Sequence, residues 1–447
     1  MAPSETGHTA VKRSIRTVVA ASSIGTGLEF YDFFLYGTTA ALVFGQVFFP
    51  SYSPAAGTLA SFATFAVGFL ARPLGAVLFG HLGDRVGRKP ILLVTLSLTG
   101  GATFLVGLLP GYGTFGVWAP ILLVALRLLQ GIGLGGEAGG GQLIIAEHAP
   151  PERRGFYASW ASASQPISSA LATGMVLLFS GLLSHQQFVG WGWRIPFLFS
   201  VLIVVVGLVI RLRVTEPAVF SALKRQKGRP ALPVVELLRG SSGRLLLAAG
   251  MWFGATVGFY FNNVYSLAYA KEHTSVGGTR MLLLLVIASV LSFGFPLAAG
   301  ALSDRYGRRP VVLGSAVFSA VVAIPYLALF NTGSPVLIVV ALLLLNAGVF
   351  AMSGVQPALF AEMFDVRVRY SGMSLAFTIG NVVGGGLAPL IASALAESAG
   401  SIWVTVYVVA SLLVSVVFAA CSKEVAGTSL GATDDAGRVD SPARPGS

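Results

Sequence analysis

The sequence is poor in cysteine, histidine and charged residues. A single cysteine, Cys421, excludes an internal disulfide framework and a cysteine metal site. The five histidines form no cluster that could ligate a metal. Charged residues account for 11% of the 447 positions, whereas a typical soluble domain carries about 25%. These shortages argue against a soluble domain and against a metalloenzyme.

Long apolar runs occupy most of the chain. Hydrophobic residues make up 55% of it, and runs of about 20 residues recur, each long enough to cross a hydrocarbon core of about 30 Å. Lipid excludes an open sheet, and a barrel would show short alternating strands, so the sequence predicts an all-α polytopic membrane protein. No cleavable signal peptide is expected, because the first apolar run is too long for one. We predict twelve transmembrane helices, at 17–45, 57–81, 90–110, 118–147, 156–184, 192–212, 244–270, 280–302, 310–330, 335–361, 371–396 and 400–421.

Basic residues mark alternate loops. One side of the predicted topology, with the N-terminal tail, contains Lys12, Arg13, Arg16, Arg85, Arg88, Lys89, Arg153, Arg154, Arg305, Arg308, Arg309, Arg367, Arg369 and Lys423. The opposite loops contain Lys271 and Arg280. The positive-inside rule therefore places both termini in the cytoplasm and the protein in the plasma (inner) membrane. The net charge of +11 is then a topology signal, and a nucleic-acid partner is not expected because the charges are spread over short loops.

The second half of the chain repeats the first. "GHLGDRVGRKP" at 80–90 returns as "GALSDRYGRRP" at 300–310, and "AEHAPPERR" at 146–154 returns as "AEMFDVRVR" at 361–369. We therefore predict two six-helix bundles in parallel orientation, an arrangement typical of secondary transporters with a site between the halves. The C-terminal tail is small and polar and is expected to be disordered. The predicted divisions are a cytoplasmic tail 1–16, a bundle 17–213, a cytoplasmic linker 214–243, a bundle 244–422 and a disordered tail 423–447.

Several motifs resemble those of a transporter superfamily. The pattern GxLxDRxGRR/K resembles the signature of the major facilitator superfamily, as does "RLLQGIGLGGE" at 127–137, where glycines follow the arginine at +4 and +8. More narrowly, "GTGLEFYDFFLYGTTAALVF", "GFLARPLGAVLFGHLGDRVGRKP", "GLGGEAGG" and "GWGWRIPFLFS" resemble the metabolite:proton symporter family, above all its shikimate-transporter-like branch. The resemblance spans about residues 1–425 and implies the major facilitator fold with alternating access.

The chain departs from this branch at two positions. Ala138 stands where the branch usually has tryptophan, and Phe30 stands where tryptophan usually follows the glutamate. Both departures leave the substrate open. The fifth helix reads "SASQPISSALATG" and lacks the glycine-proline motif that proton antiporters of the superfamily carry, which disfavours export.

Two carboxylates interrupt the first apolar run. Glu29, Asp32 and Tyr36 share one helical face. A charge at bilayer depth costs roughly 2.5–3.5 kcal/mol, so such residues are usually functional. Arg127 on the fourth helix reaches a similar depth and cannot give up its proton. We predict that Asp32, or Glu29 as the alternative, carries the coupled proton and that an anionic substrate competes for Arg127; a static ion pair is the other interpretation.

Further polar residues lie within predicted helices. Glu137 is a proton relay or a helix-packing contact, and Arg194 is expected to anchor the outer face. Polar side chains in membrane helices also often only bond neighbouring helices, so substrate contact competes with packing at each. The predicted substrate-binding residues are Arg127, Tyr36, Gln130, Arg72, Trp160, Gln165, Tyr260, Asn263, Asn346, Gln356 and Asn381.

The repeated loop motifs predict a conformational gate. The resemblance implies that their acidic and basic residues pair with helix ends across the two halves and latch the outward-facing state. The alternative is that they only set topology. The predicted gating residues are Asp84, Arg85, Arg88, Glu147 and Arg154, with Asp304, Arg305, Arg308, Glu362 and Arg369 in the second half.

Together these patterns favour a proton-driven importer of a small organic acid, such as shikimate or another mono- or dicarboxylate. The alternatives are an exporter of an acidic metabolite, an importer of a zwitterionic osmolyte (proline or betaine), and a membrane enzyme or transport-dead sensor. The tail has no heptads, which disfavours the osmolyte importer, and no nucleophile–base pair supports an enzyme. We expect no cofactor besides the coupling proton, a lipid bilayer around the protein, and a monomer.

Overall fold

The computed structural model describes residues 5–86, 88–135, 139–213, 233–366, 368–428 and 430. The side chains of residues 5–14, 80–81, 83–90, 92, 203 and 208–235 lie outside that description. Over the described residues the chain is helical and contains no β-strand, as the length of the apolar runs predicts.

The first half contains helices at all six of its predicted spans. Several spans consist of two or three consecutive helices, which we group under one label. The bounds are α1 (Glu5–Thr39, continued by Ala40–Phe44 and Gly45–Phe48), α2 (Pro54–Leu70 and Arg72–Val86), α3 (Arg88–Leu108), α4 (Trp118–Gly135 and Gly140–His148), α5 (Arg154–Leu182) and α6 (Arg194–Arg213).

The second half repeats this order. Its helices again lie at the six predicted spans. The bounds are α7 (Ser242–Tyr260, Phe261–Tyr265 and Ser266–His273), α8 (Gly278–Leu291 and Gly294–Tyr306), α9 (Arg308–Ala323 and Tyr326–Asn331), α10 (Pro335–Met363), α11 (Arg369–Gly380, Asn381–Gly386 and Ala388–Ser398) and α12 (Ser401–Cys421).

Most of these helices can cross a membrane. Within the described residues, eight are long and apolar enough by length and composition, and α6 with the bent segment before it makes a ninth. Of the other three predicted spans, α1 carries Glu29 and Asp32, α3 has a short apolar stretch at Leu93–Leu108, and α9 is interrupted after Ala323. Large apolar side chains such as Val77 are exposed, as expected for a surface that faces lipid.

Helix is present at two places outside the predicted spans. Helix α1 begins at Glu5 rather than at residue 17, because no proline or glycine interrupts the chain between His8 and Ile24. The predicted linker 214–243 contains a helix at Pro233–Gly240, and its residues 214–232 lie outside the described part of the chain.

Wide helical turns occur at related places in the two halves. The segments Ala40–Phe44 in α1 and Phe261–Tyr265 in α7 are π-helical, and they are separated by nearly the offset of the sequence repeat. Two more lie in α11, at Asn381–Gly386, and before α6, at Phe188–Gly192. Such turns are frequent at functional sites, and those in α1, α7 and α11 occur in helices that meet between the halves.

Glycines bring α2 and α4 into backbone contact. A Cβ on Gly131 would collide with the carbonyl oxygen of Gly68, and a Cβ on Gly135 would collide with that of Arg72. Glycine at both positions therefore lets the two backbones touch. This contact places Arg127, one turn before Gly131, against α2 and beneath α1.

The two halves meet along two seams. Helix α5 packs against α8 and α10, and helix α2 packs against α11. The aromatic rings of Phe30 and Phe259 meet edge to face, with centroids 5.9 Å apart, so α1 and α7 also contact one another. The seams enclose the centre of the molecule, where the polar side chains of both halves lie.

Candidate functional site

Arg127 lies at the centre of the first half and is fully buried. Its guanidinium carbon stands 3.7 Å from the centre of the Tyr36 ring and 5.5 Å from that of Phe65. These distances are those of cation–π contacts. Tyr36 is held in turn by a hydrogen bond of 2.7 Å between its hydroxyl and that of Thr64. The charge of Arg127 is thus stabilised by rings of α1 and α2.

A chain of hydrogen bonds connects Arg127 to Asp32. Arg127 Nη1 donates to Gln130 Oε1, and Gln130 Nε2 donates to Thr103 Oγ1 at 2.9 Å. Thr103 Oγ1 lies 2.9 Å from Asp32 Oδ2 and donates to it. The charges of Asp32 and Arg127 also interact through space. The structure therefore brings together the predicted residues Asp32, Arg127 and Gln130 by way of Thr103, which the sequence analysis missed.

Buried arginine N–H groups remain unused here. Arg127 Nε and Nη2 have no hydrogen-bond partner among the described residues, and neither does Arg72 Nε. Arg72 is buried between two rings, with its guanidinium carbon 4.3 Å from Phe33 and 4.6 Å from Phe69. Glu29 is half-buried and its charge acts on Arg72. An unpaired buried donor is costly, so an acceptor that reached these N–H groups would be favoured.

A small cavity of about 10 Å³, roughly the room that one water molecule needs, lies between the halves. Helices α1, α5, α7, α10 and α11 all contribute to its wall. It is lined by Phe30, Gln165, Trp252, Ala255, Thr256, Phe259, Tyr260, Val349, Ser353 and Asn381.

Three of the lining residues, Gln165, Tyr260 and Asn381, are among the predicted substrate-binding residues. Trp252 and Thr256 were missed, although they precede Tyr260 by two turns and one turn on the same face of α7. Trp252 Nε1 donates to Asn381 Oδ1 at 3.0 Å, while Gln165 Nε2 has no described partner.

Other predicted substrate-binding residues lie away from this wall. Asn346 accepts from Asn262 at 2.6 Å and donates to Ser292 at 3.1 Å. Asn263 Nδ2 donates to the carbonyl of Phe259 at 2.9 Å, and Gln356 Nε2 donates to that of Met251 at 3.0 Å. Such bonds connect neighbouring helices or turns.

Trp160 lies on α5 outside the described cavity wall. Its ring packs edge to face on Phe293 of α8, with centroids 6.2 Å apart. Arg194 donates to the carbonyls of Gly190 at 2.6 Å and Leu109 at 3.0 Å, which anchors α6 as predicted for a structural arginine. Glu137 lies outside the described residues, as do the side chains of Asp84, Arg85 and Arg88.

Buried ion pairs join the halves at the end of the bundle that carries the basic loops, here called the basic end. Arg154 Nη1 at the start of α5 lies 2.7 Å from Glu362 Oε1 in α10. The same carboxylate receives Arg308 Nε at 3.0 Å. Arg308 also contacts Asp304 at 2.6 Å. Both charges of the pair between α5 and α10 are buried.

Two further contacts cross at the basic end. The carboxylate of Asp304 accepts from the backbone N–H groups of Gly155 and Phe156, each at 2.8 Å, so it caps the start of α5 from the other half. Arg369 at the start of α11 lies 3.5 Å from Glu147 of α4, and this pair also joins the halves. Arg305, by contrast, is exposed and lies over Tyr306 of its own helix.

The start of the C-terminal tail docks here as well, which corrects the predicted disorder of 423–447 for its first residues. Glu424 accepts from the backbone N–H groups of Arg308 and Arg309, each at 3.0 Å. Arg154 donates to the carbonyl of Thr428 at 3.0 Å and Arg369 to that of Leu430 at 3.2 Å. The prediction failed because composition does not show which arginines meet the backbone. Residues 431–447 lie outside the description.

The halves also touch at the opposite end. Thr58 Oγ1 of α2 donates to Glu272 Oε1 of α7 at 3.1 Å, and Lys271 Nζ donates to the carbonyl of Leu42 at 3.2 Å. A Cβ on Gly37 would stand 2.9 Å from Val264, so α1 and α7 are closely packed between these contacts. The described residues therefore join the halves at both ends of the cavity.

A family model and curated relatives match nearly the whole chain. The model described as "Major Facilitator Superfamily" matches residues 22–382 and also 247–426. The "Shikimate transporter" of Escherichia coli (strain K12) is 39% identical over 417 residues, with 92% of this chain and 94% of that protein covered. The "Proline/betaine transporter" of the same strain is 34% identical over 402 residues, with 88% and 80% covered.

A solved structure shares the fold. The "Crystal structure of D-xylose-proton symporter" superposes with a TM-score of 0.72 at 19% identity, covering 92% of this chain and 99% of that one. With the family model and the relatives, this likeness accounts for the twelve helical spans and the repeated halves. The chain therefore belongs to the major facilitator superfamily, as a multi-pass membrane transporter of the metabolite-transporter type and not an enzyme.

Proposed function

We propose that the protein imports a small organic acid together with a proton. One observation carries the proposal: a permanently charged, buried arginine with unused N–H donors is connected through two neutral side chains to a buried carboxylate. Arg127 would bind the carboxylate of the substrate, because guanidinium donors match carboxylate oxygens. The basic end is proposed to face the cytoplasm, in accord with the positive-inside rule.

Coupling would arise from the shared environment of Asp32 and Arg127. When Asp32 is ionised, it partly neutralises Arg127 across the connecting amide and hydroxyl. A proton on Asp32 leaves Arg127 without that compensation, so an anion binds more readily; bound anion in turn favours the protonated acid. Binding of proton and substrate is then reciprocal, as linkage requires. The charge of Glu29 acts on Arg72 beside them, and either acid remains a candidate for the proton.

The cavity wall supports a ring-shaped or flat substrate. Phe30, Trp252, Phe259 and Tyr260 supply aromatic faces, while Gln165 and Asn381 supply amide groups. Shikimate combines a ring, hydroxyl groups and one carboxylate, so it is the first compound to test. A relative of this protein in Escherichia coli, named a shikimate transporter, supports the same choice of substrate.

The aromatic wall also favours a second candidate, a zwitterionic osmolyte such as betaine. Quaternary ammonium groups bind over aromatic faces, and one relative is named a proline/betaine transporter. In that case the aromatic residues would hold the cation and Arg127 the carboxylate. The candidates differ in whether substrates without a positive charge are transported.

The test is a pH measurement on proteoliposomes containing the purified protein. Shikimate, quinate, protocatechuate, 2-oxoglutarate, citrate, proline and betaine are added singly, without an imposed gradient. Alkalinisation of the external medium by one acid, abolished in Arg127→Gln and in Asp32→Asn, is the expected result. Arg194→Gln is the matched control, since Arg194 binds backbone carbonyls outside the site, and it should keep the signal.

Other results would contradict the proposal. Uptake of an acid without a pH change would show transport that is not proton-coupled. A response to betaine and to none of the simple acids would select the osmolyte importer. Substrate leaving preloaded vesicles in exchange for protons would establish an exporter.

A further inference from the structure

Thr103 occupies a position that no sequence pattern assigned. It lies on α3, is 1% exposed, and has three polar atoms within reach of one hydroxyl. Asp32 Oδ2 lies at 2.9 Å and the carbonyl oxygen of Thr99 at 3.0 Å, while Gln130 Nε2 donates to the hydroxyl oxygen at 2.9 Å. Both acceptors compete for a single hydrogen, because a hydroxyl has one to donate.

We propose that Thr103 is a positioning residue that lets Asp32 gain and lose a proton without leaving a buried polar group unpaired. The hydroxyl would turn between Asp32 and the carbonyl of Thr99 as the carboxyl group changes charge. This inference rests on the proposed role of Asp32 in proton coupling and adds the element that makes the two charge states interchangeable.

The two states balance atom by atom. With Asp32 ionised, the Thr103 O–H donates to Asp32 Oδ2 and accepts from Gln130. With Asp32 protonated, the carboxyl O–H donates to Thr103 Oγ1, and the threonine hydrogen turns to the carbonyl of Thr99. The hydroxyl oxygen then uses both lone pairs, for Asp32 and for Gln130. The bond from Gln130 is retained in both states, so the orientation of Arg127 is retained as well.

The surroundings of Asp32 permit this exchange. Arg127 of α4 acts on it through space, and Tyr31 of its own helix is the neighbouring titratable side chain. Tyr31 is engaged elsewhere, since its hydroxyl donates to the carbonyl of Pro196 in α6 at 3.2 Å. Glu29 acts on Arg72 and Tyr260. Gln130 and Thr103 are the neutral side chains that act on the acid. Of the two, Thr103 carries the hydroxyl that can both donate to Asp32 and accept from it.

Carbodiimide labelling tests the inference without a known substrate. The full-length protein is treated with N,N′-dicyclohexylcarbodiimide, which modifies protonated carboxyl groups, over a series of pH values. Tandem mass spectrometry then separates modification at Asp32 from that at Glu29. Thr103→Val removes the hydroxyl that donates to the ionised form. The pH of half-maximal labelling at Asp32 should rise by about one to two units, as expected for the loss of a hydrogen bond to a charged group.

Three variants make the result specific. Thr103→Ser keeps the hydroxyl and should restore the wild-type profile. Thr39→Val is the matched control, because Thr39 is an equally buried threonine of the same half that donates to its own helix at Leu35, and its profile should not change. Thr103→Ala replaces the valine variant if that protein does not elute as a single folded species.

Several outcomes would overturn the inference. One is an unchanged profile in Thr103→Val and Thr103→Ala. A second is an equal shift in Thr39→Val, and a third is the absence of labelling at Asp32 at every pH. These outcomes are distinct from failure of the proposed function. A shifted labelling profile in a protein that transports no acid would support the role of Thr103 and contradict the proposed symport.

Discussion

Arg127 is held by an aromatic ring and an amide rather than by a direct carboxylate partner among the described residues. Its guanidinium lies over Tyr36 and donates to Gln130. A planar guanidinium can stack and donate in several directions at once, whereas an ammonium group is a compact point charge with a strong hydration shell. Two of its nitrogens keep donors available. A positive charge alone would therefore not reproduce the contacts that Arg127 makes.

Arg127→Lys should lower the initial rate of uptake at least tenfold, with shikimate as the probe. The lysine retains the charge but loses the ring contact and the paired donors, and a hydrogen bond to a charged group contributes about 1.5–3 kcal/mol. Arg194→Lys is the control and should retain most of the rate. Equal rates for wild type and Arg127→Lys would show that charge alone suffices.

The sequence predicted that Asp32 and Arg127 reach the same depth, and the structure places them in one hydrogen-bonded chain. The sequence could not predict the contact of Thr103 with Asp32, because a threonine in an apolar helix usually bonds its own preceding turn. Which second partner such a hydroxyl meets depends on the rotation of α3 against α1. Spacing along a single helix contains no information on that rotation.

The contact between α2 and α4 shows how elements position the charge. Gly131 and Gly135 let the backbone of α4 touch that of α2. Close approach is the usual means of helix association in lipid, where burial supplies little driving force. The arginine preceding these glycines is thereby fixed relative to the rings of α1 and α2.

Gly131→Ala should destabilise the protein, because the added methyl group collides with the carbonyl of Gly68 and overpacking costs about 1–3 kcal/mol. The midpoint of thermal unfolding in detergent should fall by several degrees. Gly101→Ala on α3 is the matched control, since its Cβ meets no atom within 4 Å, and it should leave the midpoint unchanged or raise it. A lower midpoint in Gly101→Ala alone would refute this explanation.

In the described part of the molecule, the two halves are joined at both ends, by different means. The basic end is held by buried ion pairs around Glu362, whose carboxylate meets both Arg154 and Arg308. The opposite end is held by one hydroxyl and one lysine. Removing one partner of a buried pair costs about 3–5 kcal/mol, because the other charge stays buried. The basic end should therefore be the more sensitive to single substitutions.

Glu362→Gln should open the basic end. A cysteine in place of Ser353 on the cavity wall, in a Cys421→Ser background, reports access through its rate of labelling by a polar maleimide in detergent. We expect the rate to rise at least tenfold. Asp365→Asn is the control, because it breaks an exposed pair with Arg244, and exposed pairs contribute about 0–1 kcal/mol. Similar labelling rates in both variants would mean that the buried ion pairs do not keep the basic end closed.

Glu424 should keep the tail docked at mildly acidic pH. Although partial burial opposes it, hydrogen bonds from backbone N–H groups hold the pKa of Glu424 below its usual range. A carboxylate with a depressed pKa stabilises the docked state above its ordinary pKa, and this contribution is lost only as the pH falls through the lower value. The amides of Arg308 and Arg309 should thus resist hydrogen exchange equally at pH 7 and pH 5, after correction for intrinsic rates.

Glu424→Ala should remove that protection at both pH values. Glu397→Ala, at an exposed glutamate at the end of α11, is the control and should leave it intact. Protection that is lost between pH 7 and pH 5 in the wild type would contradict the lowered pKa.

The sequence predicted the helical spans and the twofold repeat, because apolar runs and basic loops suffice for both. It did not predict the docking of the tail. Composition averages over a segment, whereas docking depends on where Glu424 meets the start of α9. The contacts at the opposite end were equally out of reach. Thr58 does not stand out from its neighbours, and Lys271, although one of two basic residues in the opposite loops, donates to a backbone carbonyl that no sequence pattern marks.

One arginine from each half binds the backbone of the C-terminal tail. Arg154 and Arg369 donate to the carbonyl oxygens of Thr428 and Leu430, atoms that every amino acid possesses. Side chains along this stretch can therefore change in evolution without loss of these hydrogen bonds, provided that Glu424 and the two arginines are conserved. A search for invariant tail residues among related transporters would overlook this backbone-mediated docking. Shortening the stretch by one residue, in contrast, would move its carbonyl oxygens away from the two arginines.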